Sequence, residues 1–371
     1  MQEYRVVGGD GAALFGQAVV AGGFVFVSGV NGLEGSAPAL TIAEPDIAAE
    51  TRTVLERLRV ALAAAGSSVA QVVNVQVQLR RASDFEAMNA VYRTVFADAP
   101  PARTTVVTRM PPNVFVTMSA MAVPNGAERE TLHPAGWAKS PRPYSYIVRA
   151  NGFVFLAGLV SRRGSDDAVV PGPLPVQIRT ILENAGTLLR TAGLSLSDVV
   201  SSRVYMTDES FYETMNAEYA KFFPSEPPAR AVAVTDLMGS DASIEISLIA
   251  STSGKTVLGA AVAPSLPLST AVRAGRFTFL SGVLGSSDKA TDVTMQTREA
   301  MTRIDRTLEA AGLTHADIVD TTVYLPDTWQ QPQVAKVLRE PISGAPTAGS
   351  VVGARLAARA GLVELVVTAW R

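Results

Sequence analysis

The chain has 371 residues, 47% hydrophobic and 18% charged, a globular composition too long for one ordinary core. A formal net charge of −2, without a Lys/Arg-rich stripe, gives no overall field that would draw nucleic acid or an anionic membrane. With no cysteine, disulfides, a thiolate nucleophile and cysteine-ligated metals are excluded, and a cytoplasmic protein is expected.

The opening stretch, MQEYRVVGGDG, lacks the basic-then-apolar layout of a signal peptide, and its GGDG lacks the context of a phosphate loop. Residues 19–32, VVAGGFVFVSGVNG, read as a glycine turn followed by an alternating strand that ends at Ser28-Gly29. The apolar run Val19–Val27 is far too short to span a bilayer. An amphipathic helix follows, with Val54, Leu55, Leu58 and Leu62 on one face and a glycine stop at Gly66. Next come a strand, VVNVQVQLR (72–80), and a second helix containing FEAMNAVYRTVF, with Asp84 before it as an N-cap or turn residue. Proline breaks the pattern, and two apolar strands close the segment.

Beyond a polar linker near residues 125–140 the same order returns. IVRANGFVFLAGLVS (147–161) ends its strand at Ala157-Gly158, and the next helix presents Ile181, Leu182, Ala185 and Leu189 before stopping at Gly193. VVSSRVYM (199–206) is the following strand, Asp208 the cap or turn residue, and FYETMNAEYAKFF (211–223) holds the second helix. A second linker falls near 252–266. The third segment repeats the strand as AVRAGRFTFLSGVLG (271–285) with Ser281-Gly282, then places Met301, Ile304 and Leu308 on a helix that stops at Gly312. IVDTTVYL (318–325) is its strand, and no second helix is read there. Gly22, Gly23 and Gly152 mark hairpin turns, while His133 and His315 have no companions at metal-ligand spacing, so no metal is expected.

The chain is therefore three diverged copies of one α+β module, at 1–125, 140–251 and 265–371. A sheet with helices on one face leaves the other face apolar, so the three sheets are expected inside and the helices outside, as an intramolecular pseudo-trimer that behaves as a monomer.

EPPARAVAVTDLMGSDASIEISLIA (226–250), together with PYSYIVRANGFVFLAGLV (143–160) and FYETMNAEYAKFF, resembles the RidA/YjgF/UK114 family of reactive-intermediate deaminases, some of which carry an endoribonuclease label. The resemblance covers essentially the whole chain three times and is weakest in the third module. It implies a chorismate-mutase-like fold, homotrimers of single modules with ligand clefts between neighbours, no cofactor, and hydrolysis of 2-imino acids to 2-oxo acids and ammonia.

By the same resemblance the arginine of the Pro-Ala-Arg turn matches Arg103 and Arg230, with Ala348 in the third module. The last-strand glutamate matches Glu245 and Glu364, with Thr117 in the first. The cleft tyrosine matches Tyr144, against Phe15 and Leu268, and the helix asparagine matches Asn89 and Asn216, against Ala335. The second module alone keeps all four, so Arg230 and Glu245 are the expected catalytic pair, with Tyr144, Asn216, Arg103 and Asn89 binding substrate and Glu364 secondary. A composite site between modules is also open. An arginine fork suits a carboxylate, and a nearby glutamate can move a proton. A non-catalytic carboxylate-binding scaffold is the alternative, and a chorismate-type carboxylate enzyme rests on fold analogy alone.

Overall fold

The computed structural model describes residues 4–8, 14–34, 41–42, 46–263, 266–285, 289–340 and 347–371. Most of the GGDG stretch, and Ala345 and Pro346 of the third module's turn, lie outside them.

Each module builds one sheet with two helices on one face. In the first, the strand order is 4–7, 18–21, 24–31, 116–122, 72–79, 102–107, and only the 72–79 and 102–107 strands run parallel. The other modules repeat this arrangement. Val72–Leu79 is covered on both sides: Val75, Val77 and Leu79 meet the helices, and Asn74 and Gln76 on the other face turn toward the neighbouring modules. The helices are α1 (Ile47–Ala64), α2 (Phe85–Val95), α3 (Leu174–Thr191), α4 (Tyr212–Ala220), α5 (Val293–Ala310) and α6 (Gln331–Arg339). Gly66, Gly193 and Gly312 stop the long helices at φ of +82°, +76° and +72°, a conformation that costs glycine little.

Three separate cores join each sheet to its own helices, and a fourth and a fifth join the sheets to one another. At the centre of the fourth stand Phe24, Phe153 and Phe277, one from each module, with ring centroids 5.9, 5.7 and 5.7 Å apart. The modules also exchange edge strands: Asp236–Leu237 pairs with the first module's 102–107 strand, and Arg355–Leu356 pairs with the second module's Ala229–Val234. These contacts carry backbone hydrogen bonds across the junctions, so the sheets are locked in register as well as by apolar burial.

Two local readings change, and a third is narrowed. The linker regions are not plain connections: Arg129–Leu132 and Thr256–Ala263 are strands paired with Ile147–Ala150 and Leu266–Ala274. The third module does have its second helix, α6, a short one with proline in its first turn and Val334, Ala335, Val337 and Leu338 buried. Asp84 makes no side-chain cap; it accepts from Arg81 Nε at 3.1 Å, whereas Asp208 accepts from the Ser210 N–H as a cap does. Among the described residues no helix is long and apolar enough to cross a membrane, and no group of three or more His, Asp or Glu could hold a metal ion.

Candidate active site

Between modules one and two, and between two and three, the start of one module's 102–107-type strand lies against the glycine anchor of the next. Gly158 donates its N–H to Arg103 O at 3.0 Å, and Gly282 donates to Arg230 O at the same distance. This register decides which functional side chains meet. Arg103 of the first module faces Tyr144 and Glu245 of the second across a cleft of about 100 Å³, lined also by Phe85, Thr105, Arg142 and Arg162. Arg230 of the second module faces Glu364 of the third. Arg230 and Glu245, expected as one catalytic pair because they share a module, therefore lie in different clefts. The strand that carries each glutamate turns it toward the preceding module's arginine, not toward its own.

Arg103 is 3% exposed and its guanidinium carbon lies 4.8 Å from the Tyr92 ring centroid, 5.6 Å from Phe85 and 5.7 Å from Tyr144. Aromatic faces of this kind stabilise a desolvated cation by about 2 kcal/mol while leaving its N–H groups unused. Arg103 Nη1 is buried without a hydrogen-bond partner, and so is the side-chain amide of Asn89 on α2. A buried, unpaired guanidinium N–H is costly, and an anion entering the cleft would satisfy it.

Glu245 is 6% exposed on the Ile244–Ser251 strand. Burial raises its carboxyl to about 8, against the opposing effects of the Thr105 N–H and the Arg103 charge. At neutral pH it is therefore largely protonated and can give a proton before taking one. Two features fix its position, the anchor Gly158 and a residue that the sequence did not flag. Gly158 lies flat against it: a Cβ there would sit 1.8 Å from Glu245 Oε1. Gln177 on α3 accepts from the Ser243 N–H at 2.9 Å, just ahead of the strand that carries Glu245. A buried polar residue at the same place on each long helix was the available signal: Glu50 accepts from Phe115 N–H at 2.8 Å and Gln296 from Leu362 N–H at 2.7 Å.

The family model described as endoribonuclease L-PSP matches residues 10–124, 138–252 and 258–371. The chain belongs to this family, three times over. Among curated relatives, RutC family protein PH0854 of Pyrococcus horikoshii is 34% identical over 122 residues, covering 33% of this chain and 97% of that protein. A protein named 3-aminoacrylate deaminase RutC, from Acinetobacter baylyi, is 33% identical over 122 residues with the same coverages. A solved chorismatase covers 93% of this chain and 99% of its own at 14% identity and a TM-score of 0.56, a likeness of fold alone.

Within this L-PSP chain the three junctions have diverged. Between modules two and three, Arg230 is 2% exposed and its guanidinium is held by its own module: Nη2 donates to Asn216 Oδ1 at 2.6 Å, and Tyr219 lies 4.9 Å beneath. Burial raises Glu364 to about 8 as well, and Gly282 lies against it, with a Cβ there 1.7 Å from Oε1. Leu268 stands where the first cleft has Tyr144. At the junction of modules three and one the strand register corrects the expected match: Gly349, not Ala348, takes the place of Arg103 and Arg230, it packs under the Phe15 ring, and Thr117 lies near Gly29, so arginine, glutamate and tyrosine are all replaced.

Proposed function

We propose that the chain hydrolyses a small 2-imino carboxylate, or its enamine tautomer, in the cleft between modules one and two. The observation that carries this reading is the buried Arg103, with an unpaired Nη1, beside the buried and largely protonated Glu245. Deamination is the role in the names of its relatives, including Reactive Intermediate Deaminase A of Arabidopsis thaliana, 31% identical over 142 residues, 38% of this chain and 74% of that one.

In this scheme Arg103 holds the carboxylate with a two-pronged contact, which places the neighbouring imine carbon at a fixed distance from the rest of the cleft. Glu245 protonates the imine nitrogen, and its carboxylate then takes a proton from water as the water oxygen bonds to that carbon. Glu245 passes that proton to the amine, and as the C–N bond breaks and the C=O bond forms the hydroxyl proton returns to Glu245, so that a 2-oxo acid and ammonia leave and the acid is restored. Tyr144 packs along one side of the substrate. Asn89 supplies an amide, with no partner of its own, at the back. Because all three junctions close within one chain, the protein is a monomer in this proposal, and light scattering should return the mass of one chain.

The test is to generate a 2-imino acid in solution with an amino-acid oxidase and follow ammonia and 2-oxo acid above the spontaneous rate. Acceleration that disappears in Arg103→Met supports the reading. Carboxylate binding with no acceleration would instead leave a binding protein.

A further inference from the structure

The cleft between modules one and two holds a second arginine that the reaction above does not use. Arg142 lies on the loop leading into the second module, between Pro141 and Pro143, where two fixed φ angles leave the backbone little freedom. The loop is pinned at three points. Arg93 of α2 donates to Pro141 O at 2.7 Å, Arg142 N–H donates to Ser140 Oγ at 3.1 Å, and Tyr144 N–H donates to Arg142 O at 2.9 Å. The Arg142 side chain is 31% exposed, and its Nε is buried with no hydrogen-bond partner. Its nearest carboxylate, Glu86, is 3.9 Å away and 77% exposed, a weak partner in water.

Arg103 and Arg142 press on the same ring, with guanidinium carbons 5.6 and 5.4 Å from the Phe85 centroid, so the sum of these lengths bounds their separation. The two like charges line one cleft and act against each other, and the cleft does little to offset them. Burial keeps Glu245 largely neutral. Arg162 is occupied by Asp167, through its carbonyl at 2.8 Å and its carboxylate at 3.6 Å. Asp241, also on the lining, is exposed at the rim. The corresponding loop of the third module reads Leu266-Pro267-Leu268, so the cleft between modules two and three has no such second cation at that position.

We propose that the first cleft selects a dianion: a 2-imino dicarboxylic acid of four or five carbons, its 1-carboxylate on Arg103 and its distal carboxylate on Arg142. The proposal deepens the reading above in one respect, in that Arg103 is taken as the anchor of the reacting end. Arg142 is a specificity-determining residue in this arrangement and takes no part in proton transfer. Phe85 spaces the two guanidinium groups, and the proline-braced loop presents Arg142 without the entropy cost of ordering a free arginine.

Calorimetric titration with stable 2-oxo acids tests this without any turnover. Wild type should bind 2-oxoglutarate about tenfold tighter than 2-oxobutanoate, as an added charge-assisted pair predicts. Arg142→Gln should weaken 2-oxoglutarate about tenfold and change 2-oxobutanoate by less than about twofold, while Arg142→Lys keeps part of the preference. Equal affinity of wild type for the two acids, or equal weakening of both in Arg142→Gln, would overturn the proposal. Since the readout is binding, absence of imine hydrolysis would sink the proposed reaction and leave this inference standing or falling on its own numbers.

Discussion

The cleft between modules one and two and the cleft between modules two and three use the same parts to different ends. Both set a buried arginine from one module against a buried glutamate from the next, with a glycine pressed on the carboxyl. In the second, Arg230 gives Nη2 to Asn216 while its Nε stays buried without a partner, and the rim is leucine; in the first, the equivalent Asn89 makes no bond, Arg103 Nη1 is buried and unpaired, and the rim is Arg142 and Tyr144. Each guanidinium keeps one buried N–H that an anion could satisfy, and the clefts differ in the asparagine bond and in the rim, so retention of the family residues alone does not rank them.

The largest expected effect separates the two arginines. Arg103→Met should lower kcat/KM about a thousandfold, the cost of removing one partner of a buried charged contact, while Arg230→Met changes it less than about threefold. A larger loss from Arg230→Met would move the working site to the second cleft and reverse the comparison.

Next come the two glutamates. Glu245→Gln should reduce kcat about a hundredfold or more with little change in 2-oxo acid affinity, whereas Glu364→Gln should be near neutral for turnover. Because Glu245 gives its proton first, wild-type kcat/KM, which reports the free enzyme, should decline as the pH passes about 8. Steady-state rates across pH 5–10, in buffers of constant ionic strength, check both points.

A smaller effect follows from the glycines. Gly158→Ala would put a methyl group against Glu245, which must swing away; we expect about a tenfold loss of kcat. Gly282→Ala makes the same change beside Glu364 and should spare activity, so equal losses from the two would show that both clefts work.

The smallest effect is on stability. Both glutamates have folded-state values near 8, above the ordinary 4.5, so the unfolded chain releases these protons first as the pH rises. Their contribution to stability is therefore fully present below about pH 4.5, falls across pH 4.5–8, and is lost above. Glu245→Gln and Glu364→Gln should each flatten part of that slope in urea melts. An unchanged slope in either variant would mean that its carboxylate is not desolvated.

Much of this protein is determined by local sequence. The three repeats, the amphipathic faces of α1, α3 and α5 and their glycine stops are short-range patterns, because helix period and left-handed caps depend on neighbouring residues alone. Strand 256–263 and helix α6 escaped that reading since one sits in a Gly- and Ala-rich stretch and the other is two turns long with proline at its start. The residue types of the site were legible too, through their resemblance to one family. Their partners were not. Arg103 and Glu245 are brought together by the register between sheets of different modules, which is set by shared apolar burial around Phe24, Phe153 and Phe277 and by backbone pairing across the junctions. Spacing along the chain carries no record of that register, and so tertiary structure alone decided that the arginine and the glutamate of one module serve two different clefts.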